Sequence, residues 1–145
     1  MFGFGKGKIE IQLNNFNYAP GETVEGTLSL SLKKPILGKE LSISLLAEEE
    51  VTEMQGNNYN SRTHELFYFK QHLSGQKEYS FGNQSYPFKI KIPVNLRPQL
   101  NATLEKVIKI ASLFSGKRGR ITWYLVARLD VKGFDITKKI AIHVG

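Results

Sequence analysis

Apolar and polar residues alternate along most of this chain with the period of a half-buried β-strand. Ile9, Ile11 and Leu13 alternate with Lys8, Glu10 and Gln12. After a break over Asn14–Asn17 the alternation resumes, with Val24, Leu28, Leu30 and Leu32 on one face. Gly26 stands where a further side chain of that face belongs, which predicts a bulge or the close approach of another backbone. The turn Pro20-Gly21 sets where this strand begins, and hence which face is buried. Pro presets φ at its first central position and Gly accepts positive φ at its second, as a type II turn requires. Lys33-Lys34-Pro35 ends the strand.

Glu40 to Met54 is open to two readings. Leu41, Leu45 and the Glu48-Glu49-Glu50 run can be written as a helix, but the Ser42-Ile43-Ser44 core and the flanking strands favour β. Gln55 to Arg62, with Gly56 and three Asn, reads as a polar loop at a hairpin tip. Thr63 to Leu73 is an aromatic-rich strand, with Phe67 and Phe69 on one face. Ser74-Gly75-Gln76 turns into a strand from Lys77 to Phe81, and Phe88, Ile90 and Ile92 alternate in the next. Leu104, Val107, Ile108 and Ala111 instead fall at helical spacing. With Asn101 as N-cap and Gly116 as stop, they predict one helix from Ala102 to Phe114. Ile121 to Val131 is apolar on both faces, as a central strand is, and Phe134 to Val144 closes the chain. The sum is about eight short strands and one inserted helix, an all-β sandwich. No repeat or linker divides it, so residues 1–145 read as one domain.

Composition adds little to that picture and excludes a good deal. A chain of 145 residues with 41% apolar content builds one core without help. No cysteine occurs, so disulfides, thiolate metal sites and a cysteine nucleophile are ruled out. The N-terminus lacks an apolar run of signal-peptide length, and no later run could span a bilayer; Phe2 breaks the myristoylation pattern. The expectation is a soluble, cytoplasmic protein. The net charge of +7 suits either an acidic partner or a merely well-solvated surface.

Four segments in order carry a family resemblance. Tyr18-x-Pro20-Gly21-Glu22-x-Val24-x-Gly26-x-Leu28, and then a strand ending at Ala47-Glu48-Glu49, resemble the N-terminal domain of arrestin-fold proteins. Tyr86-Pro87-Phe88-x-Ile90-x-Ile92-Pro93 looks like that family's Phe-x-Phe/Ile-x-Ile-Pro strand. Ile121-Thr122-Trp123-Tyr124-Leu125-Val126-Ala127-Arg128-Leu129-Asp130 looks like its strand Ile-x-Tyr/Trp-x-Val-x-Ala-x-Leu-Asp. The resemblance covers nearly the whole chain. It implies an immunoglobulin-like, arrestin-type antiparallel β-sandwich, related to α-arrestins, retromer arrestin-like subunits and bacterial sporulation-control proteins. It also implies a non-enzymatic adaptor or scaffold that binds protein partners. Arrestins carry two such domains, and this sequence holds one. In visual and β-arrestins paired lysines of the first strand engage receptor phosphates; Lys6 and Lys8 lie near that position without forming the same pair.

No catalytic set emerges. His64 and His72, if on one strand, lie about 26 Å apart, whereas zinc ligands all sit about 2 Å from one ion. Glu48-Glu49-Glu50 alternates faces and reads as a solvated hairpin end. No nucleophile elbow or P-loop is present, and neither metal nor cofactor is expected. Phe67, Tyr68, Phe69, Phe88, Trp123, Tyr124 and Phe134 read as core. The densest basic cluster is Lys117, Arg118 and Arg120, in a loop before a strand, where sandwiches often place binding residues. Together with Lys6 and Lys8 these are the candidate partner- or anion-binding residues. Two functions stand side by side. One is an intracellular interaction module working through a strand edge, a concave sheet face or basic loops, with self-association by edge pairing. The other is a basic sandwich binding nucleic acid or an anionic membrane through residues 117–120.

Overall fold

The alternation over residues 24–32 becomes a ten-residue strand in a computed structural model, which describes residues 7–95 and 120–145. All regular elements among these residues are strands: β1 (Gly7–Leu13), β2 (Asn17–Tyr18), β3 (Thr23–Leu32), β4 (Ile36–Gln55), β5 (Asn58–Ser74), β6 (Lys77–Tyr79), β7 (Gly82–Lys91), β8 (Arg120–Val131) and β9 (Phe134–Val144). They form two sheets. The smaller has the order β1-β3-β7, and the larger runs β2-β9-β8-β4-β5 with β6 also on β4. All pairings are antiparallel except the short β2–β9 contact. The helix expected over 102–114 lies outside the described residues.

The Pro20-Gly21 turn has the predicted geometry. Gly21 takes φ +88°, and the Glu22 amide donates to the Ala19 carbonyl at 3.1 Å. The Glu22 carboxylate accepts from the Ala19 amide at 2.7 Å, tying both ends of the turn. The turn is also tied to the end of β7, through Gly21 N–H to the Ile92 carbonyl at 3.1 Å and Ile92 N–H to the Glu22 carbonyl at 2.8 Å. With the start of β3 held this way, Val24, Leu28, Leu30 and Leu32 point inward and are buried. They meet Leu41, Ile43, Leu45 and Ala47 of β4 and Trp123, Leu125, Ala127 and Leu129 of β8 in one core. Gly26 is a close approach, as its place in the pattern predicts. A Cβ there would stand 2.6 Å from the Gln12 carbonyl oxygen and 2.8 Å from the Phe88 ring, so the missing side chain is the space that Phe88 fills.

Three expectations need correction. The polar loop over Gln55–Arg62 shrinks to a two-residue turn, because Gln55 lies opposite Asn58 and Gly56 supplies φ +62°. Residues 58–63 are polar because they are exposed strand, not because they are loop. Tyr68 and Phe69 are half exposed on β5, an outer strand of the larger sheet, and so are not core. Glu49, read as part of a solvated end, is buried at 1% exposure. It lies on the inward face of β4 two positions beyond Ala47, opposite His64 of β5 and Ile121 of β8.

Candidate binding surface

β1 and β9 are the facing borders of the two sheets, and neither completes the other. Among the described residues β1 pairs only with β3, while β9 pairs with β8 along its length and with β2 only at His143 and Val144. Among the described residues, backbone donors and acceptors on both borders are therefore open over most of β1 and over residues 135–142. A backbone polar group without a partner seeks one, which makes an open border a template for another strand. Between the borders runs a cleft of about 520 Å³. Ile9 and Ile136 form its buried floor, while Lys8, Lys33 and Lys138 are exposed on its walls against a single carboxylate, Glu10. Three lysines beside one glutamate leave the cleft positive. Lys139 is engaged elsewhere, lying 4.1 Å from the Tyr124 ring centroid and 3.5 Å from the Glu48 carboxylate.

Of the residues singled out from sequence, Lys8 lies in this cleft. Arg120 opens β8 at the other end of the sandwich, opposite Glu50, so the structure does not bring these two together. Lys6, Lys117 and Arg118 lie outside the described residues. Lys33 and Lys138 were not read as site residues. Lys33 looked like part of a strand stop and Lys138 like one polar position among several; only the packing of β1 beside β9 unites them with Lys8.

Several other titratable groups tie the fold together. The hydrogen bond from Lys70, then that from His72, holds the Glu40 carboxyl below its ordinary range, and the same contact with Glu40 raises Lys70. Burial, with Glu22 and Glu25 nearby, pushes the Tyr18 phenol up, and its hydroxyl donates to the Asn15 carbonyl at 2.7 Å. Burial raises Tyr86 as well. His64 and His72 share β5, and His143 lies opposite Asn17. Among the described residues no three His, Asp or Glu side chains are grouped to hold a metal ion, and no helix is long and apolar enough to cross a membrane.

Two sheets of three and six strands, with the tied Pro-Gly turn and a long hairpin from the larger sheet, define an arrestin-type β-sandwich. The family model for the arrestin (or S-antigen) N-terminal domain matches residues 7–144, and the chain belongs to that family. Among solved structures it is similar to Spo0M, the sporulation control protein of Bacillus subtilis, with a TM-score of 0.65 and 19% identity. That match covers 97% of this chain and 50% of Spo0M, so the chain spans about half of that protein's length. A second structure, the alkylpurine DNA glycosylase AlkC of Pseudomonas fluorescens bound to abasic-site DNA, aligns at a TM-score of 0.36 and 10% identity. It covers 95% of this chain and 30% of that one, and it is too distant to bear on fold or function. No curated protein sequence matches.

Proposed function

We propose that residues 1–145 form one non-enzymatic adaptor domain inside the cell, and that it binds a protein partner by taking an extended acidic segment between β1 and β9. The observation that carries this reading is the coincidence of two open strand borders with a cleft walled by Lys8, Lys33 and Lys138. Main-chain hydrogen bonds to a border supply affinity that is indifferent to sequence, and the lysines select for acidic side chains and speed encounter. Arrestin-fold proteins in general bind protein partners, which supports the role without specifying the mode. The nucleic-acid or membrane reading through residues 117–120 rests, among the described residues, on Arg120 alone, and that side chain faces Glu50 across the strand pair.

The test is amide hydrogen exchange on the protein with an acidic, β-prone synthetic peptide, repeated for the double variant Lys8→Glu/Lys138→Glu. Binding in the cleft protects amides of β1 and of residues 135–142, and charge reversal removes the protection. Protection confined to β5 would instead identify that outer strand as the partner site, and concentration-dependent protection there without peptide would mean self-pairing of that strand.

A further inference from the structure

The end of the sandwich away from the β4–β5 hairpin tip carries a second surface, which shares only Lys33 with the cleft. Leu32 lies opposite Gly82 and Ile36 opposite Tyr79. The connections Lys33–Pro35 and Ser80–Phe81 therefore pass side by side from one sheet to the other. The turns before β6 and between β8 and β9 close the same end, since Gly38 pairs with both Lys77 and Val131. Two large apolar side chains stand out here, Leu37 at 72% exposure and Phe81 at 70%. Around them are five exposed lysines, Lys33, Lys34, Lys39, Lys77 and Lys132.

The charge is strongly positive. Across residues 33–39, 75–82 and 132–133 the only carboxylate is Glu78. None of the five lysines makes an ion pair among the described residues, whose ion-paired cations are Lys70, His72, Lys89, Arg128 and Lys139. Of the acids next to this end, Glu40 is engaged by Lys70 and His72 and Asp135 by Arg128 at 2.7 Å. That leaves Asp130, opposite both of them, as the one carboxylate besides Glu78 without an ion pair among the described residues. A solvated surface explains the lysines, but not an exposed Leu and Phe among them. Lys77 lies 5.0 Å from the Tyr79 ring centroid. Apolar side chains flanked by lysines that make no ion pair suit the boundary of an anionic bilayer, where the former enter the acyl region and the latter meet lipid phosphates. Each contribution alone is marginal, and stable attachment takes both.

We propose that this end of the sandwich docks on an anionic lipid surface, with Phe81 and Leu37 inserted and Lys33, Lys34, Lys39, Lys77 and Lys132 on the headgroups. Such docking leaves the opposite end, with the β4–β5 hairpin, facing away from the membrane.

The test is flotation of the whole chain with vesicles of phosphatidylcholine and phosphatidylserine in about a 2:1 ratio, against phosphatidylcholine alone. Protein floats with the first and not with the second. The variant Lys34→Glu/Lys132→Glu, which leaves the cleft lysines in place, weakens binding roughly 30-fold or more, since each lysine near such a surface contributes about 1 kcal/mol. Leu37→Ser/Phe81→Ser weakens it roughly tenfold, and leaves the melting midpoint unchanged because both side chains are exposed. In Phe81→Trp the indole emission shifts to the blue when the mixed vesicles are added, a signal that adsorption by charge alone does not produce. Arg120→Ser, at the other end, floats like the parent chain. Failure to float with the mixed vesicles overturns the proposal. So does flotation insensitive to Leu37→Ser/Phe81→Ser, or binding to an oligonucleotide with none to vesicles.

Discussion

Leu45 and Glu49 stand on the same face of β4, four residues apart, and both are sealed from solvent. Leu45 is surrounded by what it needs: it pairs with Leu125 of β8 in the common core on one side and with the half-exposed Phe69 ring of β5 on the other. Glu49 is not. Neither carboxylate oxygen has a hydrogen-bond partner among the described residues, and a buried charge without a partner is costly. The ladder between the two positions is disturbed as well, with a bulge against β5 between Ala47 and Glu48 that leaves Leu66 as the extra, buried residue. Period-two geometry decides which side chains face inward; it does not decide whether what faces inward is apolar.

The comparison is broken most severely at Leu45. Replacing it by Ala deletes buried methyl groups from a site with no exposure, and the expected loss is about 2–5 kcal/mol. Urea unfolding reads this as a lower midpoint with an unchanged slope. At Glu49 the sign reverses. Glu49→Leu removes an unpartnered carboxylate and adds apolar contact in a similar volume, and the expected gain is about 1–3 kcal/mol. A loss at both positions would mean that the carboxylate works for its place in the fold, by holding a cation, and the contrast drawn between the two halves of β4 would fail.

The same contrast explains what could be read without coordinates. Turn chemistry at Pro20-Gly21, the inward faces of β3, β7 and β8, and the crowding at Gly26 all follow from local rules, and the structure has them. The hairpin tip misled because Asn and Ser over residues 57–61 signal a loop and an exposed strand equally well, so that only pairing with residues 52–55 of β4 separates the two. Glu49 misled because three consecutive glutamates suggest solvent, while the inward position of the middle one follows from the continuation of β4 past Ala47. Tyr68 and Phe69 read as core from aromatic content, which does not reveal that a strand lies at a sheet border. Lys8 was legible as a candidate from its place on the first strand. Its companions Lys33 and Lys138 were not, since they come from β3's end and β9, far apart in sequence and adjacent only through the packing of the two sheets.

A second glutamate of β4 sharpens the comparison by the smallest margin. Glu40 meets Lys70 and, at 2.9 Å, His72, so here a carboxylate has what Glu49 lacks. The hydrogen bonds from Lys70 and then His72 lower the pKa of the Glu40 carboxyl. A carboxyl depressed in the folded state contributes stability that is present above the unfolded carboxylate range and is lost as pH falls through its folded value. Lys70, raised by the same contact, contributes stability that is present below the ordinary lysine range and is lost as pH rises through its own folded value. The pair therefore contributes over a plateau between acid and strongly alkaline solution. Lys70 is 42% exposed and Glu40 26%, so solvent screening holds the contribution below about 1 kcal/mol. Glu40→Gln lowers the urea midpoint slightly at neutral pH, and the difference from the parent chain closes as the solution is acidified. A difference that stayed constant with pH would mean that Glu40 acts through packing of its stem, and would leave the pairing of charge on β4 without energetic weight.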